Sequence, residues 1–181
     1  YCYLEGDKIP LNQPVTGPRR MQVHVKHTLK HDLAEAFDAC TGKDSLESTY
    51  EQLGGENIRI RRSGRAPKVS LTITRRMPAN APAAIRRFVP EMNEVSHTEE
   101  WAAEGKGHQA DIEVEIKGVP VHIAGTKALR PDKAGCVIEW NFEVTSKVLL
   151  VGGLLASFAA DQLKDTLEHE FRILKKALGA K

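Results

Sequence analysis

The alternation of apolar and polar side chains predicts a domain built from many strands and few helices. Residues 21–29 alternate, with Val23, Val25 and Leu29 on one face, which is typical of a half-buried strand. The apolar spacing becomes helical in residues 31–42 and 44–53, and glycine marks the end of both runs. Alternation then returns in six further runs, at residues 56–62, 68–76, 95–104, 109–117, 119–129 and 136–146.

Residues 153–178 predict one long amphipathic helix. At 1.5 Å per residue this helix would be about 39 Å long, enough to cross a small domain. Its apolar stripe consists of Leu154, Leu155, Phe158, Leu163, Leu167, Phe171, Leu174 and Leu178. A half-buried antiparallel sheet needs a cover for its apolar face, and this helix supplies one. We therefore expect an α+β fold in which about seven strands curve around the C-terminal helix, with two short helices after the first strand. A cavity can remain between the sheet and the helix.

The connection between the third and fourth strands, residues 77–93, is far longer than the ~2–5 residues of a usual hairpin loop. Its three prolines prevent it from continuing either strand. Residues 83–89 can form a helical turn with an apolar face made of Ile85, Phe88 and Val89. Two interpretations remain, a gate over the mouth of the cavity or a static loop that plugs the end of the sheet.

Composition indicates a single soluble globular domain. The chain has 181 residues, of which 41% are hydrophobic and 28% are charged. Cys2, Cys40 and Cys136 have neither metal-like nor redox-like spacing, so reduced thiols and a cytoplasmic location are expected. Residues 1–20 contain three prolines and no clear period, which is typical of an irregular tail or an expression remnant. The folded domain is expected to span residues 21–181.

Four stretches resemble a known family: residues 23–27 (Val-His-Val-Lys-His), 98–101 (Thr-Glu-Glu-Trp), 119–126 (Val-Pro-Val-His-Ile-Ala-Gly-Thr) and 150–153 (Leu-Val-Gly-Gly). With the order of elements, they resemble the START-like superfamily (SRPBCC, helix-grip fold), and more nearly an uncharacterised bacterial START-like family of unknown function. The resemblance covers residues 21–178. It implies the helix-grip fold, and by analogy a hydrophobic ligand such as a lipid-like or polyaromatic molecule.

Several polar side chains are predicted to face inward. Counting by twos along the strands places His27, His97, Glu99, Trp101 and Lys127 on the inner face of the sheet. The first three can meet the polar end of an apolar ligand, or serve as acid–base groups. Alternatively, they lie near strand ends and hydrogen-bond to backbone or water.

Large apolar side chains complete the candidate ligand-binding set. Trp101, Trp140, Phe142 and Phe158 can line a cavity, although filling the core is the more common role of such side chains. The candidate ligand-binding residues are therefore His27, His97, Glu99, Trp101, Trp140, Phe142 and Phe158.

The sequence indicates no metal site, no cofactor and no assignable catalytic residue. His24, His27 and His31 form a cluster in sequence, but strand geometry sends the first two to opposite faces. Neither an H-E-x-x-H nor a G-x-S-x-G motif occurs. Gly152 and Gly153 before the last helix are better explained by a close turn than by an anion site.

Basic residues concentrate between residues 57 and 90, which contain nine of the 26 lysines and arginines and no acidic residue. Arg59, Arg61 and Arg76 lie opposite the apolar face there, and the two functional interpretations are an anionic membrane surface and an acidic partner. Nucleic acid is not expected, because Phe88 is the only aromatic residue of this segment. A solvated face that blocks edge-to-edge strand pairing is the alternative.

Three functions follow from these observations. The leading hypothesis is binding or carriage of a hydrophobic small molecule between the sheet and the C-terminal helix. The alternatives are an enzyme of the polyketide cyclase or aromatase type and an interaction module that uses the basic segment. A close His–Glu pair beside a cavity favours the enzyme, a cavity with apolar walls favours the carrier, and a filled core favours the module.

Overall fold

One antiparallel sheet and one long helix organise the computed structural model, which describes residues 19–179. Most of the predicted tail, and Cys2 with it, lies outside the described residues. The strands are β1 (Arg19–Leu29), β2 (Glu56–Arg65), β3 (Lys68–Pro78), β4 (Met92–Glu104), β5 (Gly107–Ile116), β6 (His122–Asp132) and β7 (Gly135–Ser146). The helices are α1 (Leu33–Thr41), α2 (Lys43–Gln52) and α3 (Gly152–Gly179), with a single 3-10 turn at Arg86–Phe88.

The sheet has the strand order β1-β7-β6-β5-β4-β3-β2, so β1 and β2 are its edges. Strands β2 to β7 form a meander in which each strand pairs with the next, and β1 joins the far side of β7. Gly105 and Gly118 have φ angles of 58° and 77° in the two turns that flank β5, a conformation that glycine adopts without a steric penalty. The predicted α+β helix-grip fold is confirmed.

Helix α3 packs on the inner face of the sheet against β1 and β7. Its buried large apolar side chains are Leu155, Leu167, Phe171, Leu174 and Leu178. The prediction that Leu154 belongs to the buried stripe is wrong, because this side chain is 55% exposed. Neighbouring residues of a helix point about 100° apart, so Leu154 and Leu155 face different ways and one of them lies nearer the sheet. Leu155 takes that place and is 1% exposed.

Several boundaries differ from the predicted ones. Strand β2 continues to Arg65, which shortens the predicted hairpin loop to residues 66–67. Strand β6 begins at His122 rather than at Val119, because residues 119–121 form a turn closed by the Val119 and Val121 amides. The long connection spans residues 79–91, and its predicted helical turn is the short Arg86–Phe88 segment. None of the helices in the described residues is long and apolar enough to span a membrane.

Two clusters of buried apolar residues form the core. The larger cluster lies between the sheet and all three α-helices. The smaller one consists of Ala81, Ile85, Val89, Val119 and Leu155, so it joins the 79–91 connection to the start of α3. Between these two packed regions the inner face of the sheet is not completely filled.

Candidate functional site

A cavity of about 140 Å³ lies between the first half of α3 and the inner face of β3 to β6. Strand side chains such as Val95, Val114 and Ile123 form one wall, and Leu155, Phe158 and Ala159 of α3 form the other. These apolar positions alternate along the strands and recur at three- and four-residue spacing on the helix, which places them on the same side. The cavity therefore has mostly apolar walls.

The 79–91 connection and the strand ends beside it border one side of the cavity. Met77, Pro78, Ala79 and Val89 contribute to its lining. Val89 is 5% exposed and belongs to the small cluster that also contains Leu155. The segment predicted as a gate or a plug thus lies beside the cavity, and its movement stays a prediction.

Four polar residues contribute to the largely apolar lining, Arg75, Asn93, Gln162 and Thr166, and the first two have buried atoms without a partner among the described residues. Arg75 on β3 is only 9% exposed, and its Nε and Nη1 atoms make no hydrogen bond with any described residue. Its guanidinium carbon lies 4.0 Å from the centre of the Tyr50 ring. Asn93 on β4 donates from Nδ2 to the carbonyl of Pro90, but its buried Oδ1 has no partner among the described residues.

A row of buried polar side chains continues behind Arg75. The Tyr50 hydroxyl lies 3.3 Å from Nδ1 of His97, and Nε2 of His97 lies 3.1 Å from Oε1 of Glu99. This Nε2 makes no well-aligned hydrogen bond with the described residues. The other Glu99 oxygen accepts a 2.6 Å hydrogen bond from Nε1 of Trp101. Burial raises the pKa of Tyr50, which keeps its hydroxyl protonated.

The positive charge of Lys127 balances the negative charge of Glu99 in this row. Its Nζ donates to Oε1 of Glu170 on α3 at 2.9 Å, and it lies 5.4 Å from the centre of the Trp140 ring. Burial alone raises the pKa of Glu99, but the attraction of Lys127 and contacts with His97 and Trp101 outweigh it and lower this pKa to about 2. Burial likewise opposes the charge on Lys127, yet the surrounding acidic groups hold its pKa well above the ordinary value.

The structure brings together only some of the predicted site residues. His97 and Glu99 form a close pair, whereas His27, which was grouped with them, lies apart: its ring stacks on Phe171 at 4.0 Å and its Nε2 lies 3.0 Å from Oε2 of Glu168. The inward-facing predictions for Glu99, Trp101 and Lys127 are confirmed by their burial.

Of the seven candidate ligand-binding residues, Phe158 alone lines the described cavity. Trp101, Trp140 and Phe142 are at most 3% exposed and pack in the larger cluster, where they fill the core. His97 lies one inward position beyond Val95, next to the cavity but not in its lining. A ligand-binding role for these buried residues stays a prediction.

Sequence reasoning missed Arg75 as a site residue and counted it only among the basic residues of its segment. The signal was present, since counting by twos along β3 passes through buried Val69, Leu71 and Ile73 and reaches Arg75. Its neighbour Arg76 has the opposite orientation and pairs with Glu56 at 3.5 Å.

Two surface features lie away from the cavity interior. Arg59 and Arg61 are exposed on the edge strand β2, as predicted. Leu149 and Leu150, just before α3, are exposed apolar side chains, and Leu150 has a φ angle of 67°.

Of the cysteines in the described part of the chain, Cys40 and Cys136 are buried free thiols. Burial raises the pKa of Cys40 to about 11, so this thiol is a poor nucleophile.

Comparisons with known proteins identify a family and a set of solved structures with the same fold. Residues 24–178 match the model of a family described as "Protein of unknown function (DUF2505)". A comparison with curated proteins gives no match.

Solved structures with the same fold include TTHA0849 from Thermus thermophilus, with 14% identity and a TM-score of 0.63 over 88% of this chain and 98% of that one. Ara h 8.0201 has 14% identity and a TM-score of 0.61 over 90% of this chain and 100% of that one. Norcoclaurine synthase from Thalictrum flavum, in complex with dopamine and hydroxybenzaldehyde, has 14% identity and a TM-score of 0.52 over 98% of this chain and 99% of that one. At these identities the likeness shows the START-like helix-grip fold.

Proposed function

We propose that this chain, which belongs to the DUF2505 family of proteins of unknown function, binds and carries an apolar small molecule in the cavity beneath α3. The observation that supports this proposal is the largely apolar lining of a partly open cavity bordered by the sheet, the helix and the 79–91 connection. Concave apolar sites with a few polar groups are the usual form of small-molecule sites. The norcoclaurine synthase structure holds two small aromatic molecules on the same fold.

The volume limits the size of the molecule. A cavity of about 140 Å³ is close to the roughly 150 Å³ of an engineered apolar cavity that binds benzene. One aromatic ring or a short acyl chain therefore fits without rearrangement. A lipid-length or polyaromatic ligand exceeds this volume, so it would extend out of the cavity or require the lining to move.

The close His97–Glu99 pair favours cyclase-type catalysis, whereas the burial of this pair and its position outside the cavity lining favour carriage. A general acid or base has to reach the proton it transfers, directly or through one water. His97 and Glu99 are 8% and 1% exposed and lie outside the cavity lining, so a molecule in the cavity does not contact them.

The proposal is tested with toluene as the probe and a cavity-filling substitution. Ala159→Phe places a ring in the cavity wall, while Ala177→Phe puts the same ring on an exposed position of α3. We expect the wild type and Ala177→Phe to bind toluene in calorimetry, and Ala159→Phe to lose binding while its circular dichroism stays native. Absence of toluene binding by the wild type, or binding that survives in folded Ala159→Phe, would contradict the cavity as the site. Native mass spectrometry of the purified protein, with extraction of any retained molecule, would identify the natural ligand.

A further inference from the structure

Arg75 is the one charged side chain in the lining of the cavity, and no acidic residue of the described chain lines it. An arginine side chain carries five N–H donors and a permanent positive charge. Two of its three nitrogens, Nε and Nη1, are shielded from solvent and unpaired with the described residues. A buried cation of this kind is strongly unfavourable unless something neutralises it.

The described residues stabilise the positive charge of Arg75 from one side only. The Tyr50 ring face lies 4.0 Å from the guanidinium and stabilises the charge through a cation–π contact. A ring face does not provide the in-plane acceptors that guanidinium N–H groups require. Among the described residues the nearby carboxylates pair elsewhere rather than with the Nε and Nη1 of Arg75: Glu99 accepts from Trp101 and Glu170 accepts from Lys127.

We propose that Arg75 receives the carboxylate of the bound molecule, so that the ligand is a small apolar monocarboxylic acid whose hydrocarbon part fills the cavity. This inference rests on the proposed function and names the chemical class of its ligand. A carboxylate supplies both the negative charge and the in-plane acceptors that Arg75 lacks. With one cation in the lining, a single negative charge gives a neutral complex.

The test compares two molecules of similar shape, phenylacetate and the neutral 2-phenylethanol, by calorimetry at neutral pH. Since hydrogen bonds to charged groups are the stronger ones, we expect the wild type to bind phenylacetate about tenfold or more tightly than the alcohol. Arg75→Met keeps a long side chain but removes the charge, and should abolish this preference while 2-phenylethanol still binds. Arg76→Met is the matched control, because Arg76 is next in sequence but pairs with Glu56 outside the cavity.

The outcomes separate this inference from the proposed function. Equal binding of both molecules by the wild type, or a carboxylate preference that persists in Arg75→Met, overturns the role of Arg75 and leaves the apolar cavity as the binding site. Binding of neither molecule, together with failure of toluene binding, overturns both. If Arg75→Met does not fold, the Nε–H resonance of Arg75 in the wild type decides: a shift with phenylacetate but not with 2-phenylethanol supports the proposal, and no shift overturns it.

Discussion

Replacing Glu99 with glutamine should change how the stability of this protein depends on pH. Glu99 is 1% exposed, and in the folded protein the pKa of its carboxyl group is lowered from 4.5 to about 2. Burial opposes this shift, and the attraction of Lys127 is the largest of the contributions that produce it. Because one pKa unit corresponds to about 1.4 kcal/mol, the ionised carboxylate stabilises the fold by about 3 kcal/mol at neutral pH.

The sign follows from the two pKa values. The unfolded chain takes up a proton on Glu99 near pH 4.5, whereas the folded chain does so only near pH 2. The stabilisation is therefore fully present above about pH 5, falls as the pH decreases from there, and is nearly gone at pH 2. Glutamine resembles the protonated carboxyl group, so the variant should lack this contribution at every pH.

Urea unfolding of both proteins between pH 2.5 and pH 7 measures the effect. The difference in the free energy of unfolding should be about 3 kcal/mol at pH 7 and shrink steadily below pH 5. Glu100→Gln is the control, because Glu100 is the next residue of β4, is exposed and contacts Ser70. A difference between wild type and Glu99→Gln that does not change with pH would refute the assigned ionisation of Glu99.

Three further predictions concern the helix, the connection and the basic edge. Leu167→Asp, at a position that is 4% exposed, should unfold the domain, whereas Leu154→Asp should be tolerated. Melting curves of the two variants check this, and a normal melting temperature for Leu167→Asp would mean that α3 does not hold the sheet. If the 79–91 connection is a gate, its hydrogen exchange should slow when phenylacetate binds; protection that is already high in the empty protein and unchanged on binding would identify a static plug. Glutamine at three basic positions should leave the fold intact and weaken salt-sensitive adsorption to phosphatidylserine vesicles, and a wild type that does not adsorb would reduce this surface to a solvated face. These positions are Arg59, Arg61 and Arg76.

The sequence predicted well those features that depend on periodicity. The two-residue period located β1 to β7, and it also placed Glu99 and Lys127 correctly inside the sheet. Periodicity failed where two apolar residues are adjacent in a helix, as at Leu154 and Leu155 of α3, because it does not say which of the two is buried. It also failed at the start of β6, where Val119 packs in the small cluster instead of extending the strand.

The cavity itself could not be predicted from the pattern. Whether an inward aromatic side chain fills or lines a space depends on the distance between packed elements and on the volumes of its neighbours. Trp101 and Trp140 fill the region near α1 and Lys127, whereas Phe158 borders the space that smaller side chains leave under the first half of α3. Periodicity gives the direction of a side chain and contains no information about these distances.

The position of β1 beside β7 also has a consequence for the order of folding. Each strand from β2 to β7 can pair with its neighbour through a short connection, apart from the 79–91 segment. Strand β1, in contrast, pairs with a distant part of the chain: His24 of β1 contacts Glu139 of β7, 115 residues further along. Closing so large a loop has a high entropic cost, so we expect β1 to join after the meander has formed, with φ-values in β1 near zero. Until β1 docks, β7 has an unpaired edge that can pair with another chain. Strand β7, which lies inside the complete sheet, is thus the strand most exposed to wrong pairing while the protein folds.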